Sequence, residues 1–251
     1  MTEKEVGSPE ASPKAEGEEE RDFVRYLFLR LMPEWRRLDP DVRRKGREEV
    51  VRLLQDPPEG VSLRTYSLVG TKTSAHALLW MVSPRLEGFQ ELEARLAGTR
   101  MGGYLELPLG YLGMGRRSEY LGGHTHAGQK GGRIAPSSLP YLFVYPFVKK
   151  REWYALPFEE RQRIMGEHFR IGHRFPKVEI HTGYSFGIDN PEFILAFEAE
   201  DPRNFLDLVQ ALRPSEASRY TQLETPIFTA LSVPPARMLE LAEGLPGQVR
   251  G

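Results

Sequence analysis

The pattern of apolar and polar positions repeats once along the chain. Residues 23–31, FVRYLFLRL, read as a strand, and a helix follows from about Pro40. Asp39 is a good N-cap for that helix, Pro40 suits its first turn, and Val42, Val50, Val51 and Leu54 give it apolar positions. Residues 61–70 and 75–82 read as two strands joined by a short TKTS turn, 84–97 as a helix with Leu86, Phe89, Leu92 and Leu96 on one face, and 105–114 as extended. The order is β-α-β-β-α-β. The second half does the same: a strand at 140–147, a charged amphipathic helix at 157–174, and a hairpin of 177–186 with 192–198 across GIDNP. A helix at 202–212 and a closing strand at 226–233 complete it.

Two such units predict an α+β protein of two ferredoxin-like halves, each an antiparallel sheet with helices on one side. The open sheet faces can pack together, giving a dimeric α+β barrel-like body. The predicted boundaries are an acidic tail at 1–21, an N-terminal half at 22–115, and a Gly-rich linker at 116–139. A C-terminal half at 140–235 and a C-terminal tail at 236–251 follow.

Charge and composition narrow the function classes. The net charge of −1 divides into −4 on residues 1–21 and +3 on the body, so no nucleic-acid footprint is expected. With no cysteine there is no disulfide, thiolate nucleophile or Cys-ligated metal. No apolar run approaches the roughly 20 residues of a membrane span, and the first residues lack a signal-peptide core. The expected compartment is the cytoplasm. GxGxxG, phosphate-loop and GxSxG signatures are missing. His124 and His126 could ligate a metal but have no acid cluster beside them, so a polar surface loop is the simpler reading. His76 and His181 fall in strand patterns and read as satisfied, half-buried residues. His168 stands near the end of a helix between Ile164, Met165 and Phe169, Ile171, where an apolar surrounding is expected, and by pattern alone a structural role is the simpler reading than a ligand.

The stretch YPFVKK at 145–150, EWY at 152–154 and PFEERQRIMGEH ending at His168 resembles the chlorite dismutase-like haem proteins, as do GIDNPEFILAFEAEDPRNF at 187–205 and SEASRY at 215–220. The likeness is strong from about Tyr141 to Phe228 and weak before Ser118. It implies a duplicated ferredoxin-like fold, a homo-oligomer (usually a pentamer), and haem b or iron coproporphyrin III (coproheme) held in the C-terminal half. It aligns His168 with the proximal iron ligand and Glu216 with the glutamate that supports it. Ile180 takes the place of the distal Arg of chlorite-degrading members, which leaves a bound oxyanion without its electrostatic support. Tyr145 and Lys149 match the radical-relaying Tyr and neighbouring Lys of the branch that decarboxylates coproheme to haem b with hydrogen peroxide. Arg133 matches a propionate-holding Arg, and Ser118 opens an S-x-Y element. The resemblance therefore implies a peroxide-dependent coproheme decarboxylase. A haem-binding sensor or carrier with weak peroxidase activity, and a metal-free monooxygenase-like barrel, are the alternatives.

Overall fold

The computed structural model describes residues 21–120, 129–130 and 133–245. The acidic extension apart from Arg21, and His124 and His126, lie outside them. The N-terminal half runs β1 (Phe23–Leu31), α1 (Pro40–Gln55), β2 (Ser62–Ser67), β3 (Ala77–Ser83), α2 (Glu87–Ala97) and β4 (Leu105–Gly115). Two short strands, β5 (Gln129–Lys130) and β6 (Arg133–Ile134), pair with each other. The C-terminal half runs β7 (Tyr141–Lys149), α3 (Arg151–Ala155), α4 (Phe158–Gly172), β8 (Val178–Tyr184), β9 (Phe193–Ala199), α5 (Pro202–Leu212), β10 (Thr221–Leu223) and β11 (Phe228–Ser232). A last helix, α6 (Pro235–Glu243), follows. Among the described residues no helix is long and apolar enough to cross a membrane.

Local sequence chemistry sets several boundaries. The Asp39 side chain accepts from Asp41 N, and that of Asp201 accepts from Arg203 N, each satisfying an amide that the first helical turn leaves unbonded. In β1, Val24, Tyr26 and Phe28 belong to one core and Leu27, Leu29 and Leu31 to another, as strand alternation requires.

The two halves join edge to edge. β4 pairs with β8, β11 pairs with β2, and β9 returns to β7, so the strands close into a barrel, with β10 extending one edge of β7. The barrel interior is one shared apolar core that includes Val24, Tyr26, Phe28, Trp80, Val144, Ala196 and Phe228. Outside it, α1, α2 and α6 cover the N-terminal half, burying Trp35, Leu79, Met81, Phe89 and Leu92. The predicted tail from 236 is thus in part a helix. α6 crosses back onto the N-terminal half, where Met238, Leu239 and Ala242 are buried and Glu243 is gripped by Arg47 at 2.9 Å. His76 accepts from Leu31 N through Nδ1 at 3.0 Å, so the reading as a satisfied residue holds.

Gly46, in the middle of α1, lies under Trp35: an added Cβ would come within 2.5 Å of the indole, which is fully buried. Gly→Ala in a helix interior usually gains roughly 1 kcal/mol. Gly46→Ala is instead expected to cost about 1–3 kcal/mol from overpacking, read as a lower urea midpoint.

Candidate active site

The outer face of the C-terminal sheet carries most of the sequence-predicted residues. Register places Phe143, Phe197 and Ile180 in one cross-strand row and Tyr145, Leu195 and Thr182 in the next. Tyr145 is 7% exposed and stacks on Phe197, with ring centroids 5.9 Å apart. Burial, reinforced by Glu224 and opposed by Arg213, pushes its phenol well above the usual value, so it stays protonated at neutral pH.

α5 rests on β9 through Phe205 and Leu208, whereas the main contacts of α4 are with α5 and the 3-10 turn Glu216–Tyr220. The apolar clusters on the two sides are separate: Phe143, Tyr145, Phe197, Phe205 and Leu208 on one, Trp153, Ile164 and Ala217 on the other. Phe147, Ile180, Thr182 and Leu195 on the sheet face stay only half-buried. His168 follows the buried Ile164 by one helical turn and so shares its inward side. The equivalent face of the N-terminal half, with Leu27, Leu29, Leu79 and Met81, is closed.

Glu216 lies against α4. Its carboxylate accepts from Arg163 at 2.7 Å, and its backbone N–H donates to Glu167, next to His168, at 3.3 Å. Ser118 accepts from Tyr120 N at 3.4 Å, and Tyr120 stacks on Phe158 at the start of α4 and accepts from Arg161 at 2.9 Å. The S-x-Y element therefore braces the helix that bears His168.

Lys149 is placed differently from the expectation of a group beside Tyr145. It lies four residues further along the same strand, about 13 Å by strand rise. Its Nζ donates to Ala217 O at 3.4 Å and sits 4.2 Å from the centre of the Trp153 ring. Lys149 thus faces the turn that carries Glu216. Arg133 also departs from the expected group. Its neighbour Ile134 is buried in the barrel interior, and Arg133 lines a cavity at the barrel mouth with Arg64, Trp80 and Pro136, a set without Tyr145. His181 is not the half-buried, satisfied residue expected: it is fully buried, and neither ring nitrogen makes a hydrogen bond.

One organising residue has no signature in the sequence. Glu192 is 7% exposed and accepts from Lys149 N at 2.8 Å and Tyr154 Oη at 2.6 Å, tying α3 to the ends of β7 and β9. A lone acid after a turn gives no pattern; only its position before the apolar run of β9 hints at burial.

The sequence profile described as chlorite dismutase matches residues 43–233, reaching well into the N-terminal half. The chain belongs to the chlorite dismutase family. It is 32% identical over 182 residues to the coproheme decarboxylase of Mycolicibacterium smegmatis, covering 70% of this chain and 76% of the relative. To the coproheme decarboxylase of Staphylococcus carnosus it is 30% identical over 171 residues, 61% and 66% of the two chains. Among solved structures of similar fold, chlorite dismutase from Candidatus Nitrospira defluvii in complex with imidazole has a TM-score of 0.80 at 24% identity, over 90% of this chain and 97% of that one. A heme-binding protein from Thermus thermophilus gives 0.77 at 23% identity, over 89% and 95%.

Burial pulls Lys149 from 10.5 down to about 8, with Glu192 partly restoring it. The unfolded chain therefore holds the extra proton between about pH 8 and 10.5, and this group makes stability rise with pH across that window, with no slope below it. Lys149→Met should flatten that rise, read from urea midpoints at pH 7.5 and 10.

Proposed function

We propose that this protein is a coproheme decarboxylase that uses hydrogen peroxide, holding the iron porphyrin between α4 and the outer face of the C-terminal sheet. The observation that carries this reading is the contrast between the halves: the same topology gives a closed helix–sheet core on one side and, on the other, a half-buried apolar face below a helix bearing an inward histidine. A flat, largely apolar macrocycle with one axial nitrogen ligand fits that donor set. The names of the curated relatives point the same way.

His168 would supply the axial imidazole. Glu216, steadied by Arg163, and Lys149, bonded to the carbonyl of Ala217 next to it, would set the outer surroundings of that ligand. When bound, the iron porphyrin supplies the two-electron chemistry with peroxide and is itself the substrate. Each propionate converted to vinyl loses carbon dioxide and two electrons, while peroxide takes those electrons and becomes two waters. One proton per propionate is consumed overall. Tyr145 holds its phenolic proton at Oη and can pass a proton and an electron together, then recover both as a hydrogen atom from the propionate carbon next to the ring, whose C–H bond the vinyl product lacks. Lys149 faces the turn of Glu216 rather than Tyr145, so its role is confined to that turn and the consumed proton is drawn from solvent. Phe197 and Phe205 keep water from Tyr145.

Ile180 supports decarboxylation over chlorite turnover. It packs with Phe143 and Phe197 on the sheet face and offers neither charge nor hydrogen bond to an oxyanion.

His168→Ala should lose the five-coordinate haem spectrum on titration with coproheme. Tyr145→Phe should bind coproheme with wild-type affinity yet release carbon dioxide at least ~100-fold more slowly on adding peroxide. A Tyr145→Phe protein that forms haem b at the wild-type rate would move the haem-carrier reading ahead. Oxygen release from chlorite should stay negligible, and rapid release would show that Ile180 does not define the distal face.

A further inference from the structure

The interior face of β8 and β9 carries a polar group at one end of the barrel. Glu179 and Glu198 are direct cross-strand partners, and His181 points to the same side two residues along β8. His181 and Glu198 are completely buried and Glu179 is half-buried. One ligand atom from each lies within 4.8 Å of the other two. Like charges directly opposite across a strand pair repel, and a buried carboxylate needs a compensating charge.

His181 Nε2 and Glu198 Oε2 are 2.9 Å apart, yet the geometry is not that of a hydrogen bond, and Glu198 Oε1 also lacks a partner. Atoms set side by side without bonding each other are disposed as ligands to a third centre. A separate observation points to the same place. Tyr26 Oη, Tyr66 Oη and Trp80 Nε1 are buried without hydrogen-bond partners. Trp80 stands edge-on to the His181 ring with centroids 5.0 Å apart, and both tyrosines feel the charge of Glu198. Native interiors rarely leave so many polar atoms unsatisfied in one spot. Trp80 also lines a cavity of about 570 Å³, and it is the half-buried Glu179 that brings the cluster to solvent.

We propose that Glu179, His181 and Glu198 form a divalent-cation site at the barrel mouth, on the opposite face of the sheet from Ile180 and Tyr145. Two carboxylates neutralise the ion, and one nitrogen with two oxygens suits Zn²⁺ or Mn²⁺ with ligand distances of about 2.0–2.2 Å. Because Glu198 Oε2 also accepts from Ser137 N at 2.7 Å, the ion ties β8 and β9 to the segment that follows Arg133. The site rests on the barrel interior and is independent of the porphyrin reading.

The test uses tag-free full-length protein prepared without porphyrin. After EDTA treatment and gel filtration, Zn²⁺ or Mn²⁺ is titrated by calorimetry and followed by thermal melting. Binding of about one ion per chain is expected, with a higher Tm. Glu198→Gln, and the half-exposed and therefore better tolerated Glu179→Gln, should each weaken binding at least tenfold, whereas His168→Ala should bind the ion as the wild type does. The proposal is overturned if neither ion binds the wild type, if Glu179→Gln and Glu198→Gln both leave affinity unchanged, or if His168→Ala abolishes it.

Discussion

Edge-to-edge hydrogen bonding between the halves is the constraint from which the rest of the molecule follows. Met114 and Gly115 pair with Tyr184 and Gly183, while Leu231 and Ser232 pair with Ser67 and Tyr66. These few register pairs leave neither ferredoxin-like sheet with an open long edge there, and they commit every second residue to the barrel interior. On β8 the commitment separates two chemistries by a single residue. Ile180 faces the helices and His181 faces the interior. A slip of one residue would exchange them, and on β7 it would swap Tyr145 with Val144.

With the β-α-β-β-α-β order shared, the halves differ most in what fills the space between sheet and helix. β1 and β7 are both nine-residue strands, and their central outward positions are Leu27 and Tyr145. Leu27 meets Leu79 under α1, α2 and the returning α6, and the space is sealed. Tyr145 meets Leu195, and the nearby helix α4 is held from its flanks by α5 and by the turn of Glu216. The same scaffold thus gives one half the work of stability and leaves the other a surface to use.

The repeat was legible because period-2 and period-3.6 patterns alternate with clear caps, as at Asp39 and Asp201. α6 was not, since it has only nine residues and its inward face is recognisable only once Arg43 and Arg47 are seen to meet Glu243. At the site, His168 could be read from its helix and Ile180 from its strand. The placements of Lys149 and Arg133 depended on packing outside their own segments, against Trp153 and Ala217 for one and against the barrel mouth for the other. Glu192 and the interior side of His181 arise from contacts across the chain that no local pattern encodes.

Barrel closure also sets an order of events during synthesis. The strand that seals the edge of β2 ends at Ser232, more than 160 residues after Ser67. A nascent chain that has completed only its first half carries a ferredoxin-like sheet with both long edges and its future interior face uncovered. Loop-closure entropy makes so distant a pairing slow, and an unsealed strand edge is a template for pairing with other chains. Nearly the whole polypeptide must be made before the first half can cover its interior face, so its exposure is longest early in synthesis.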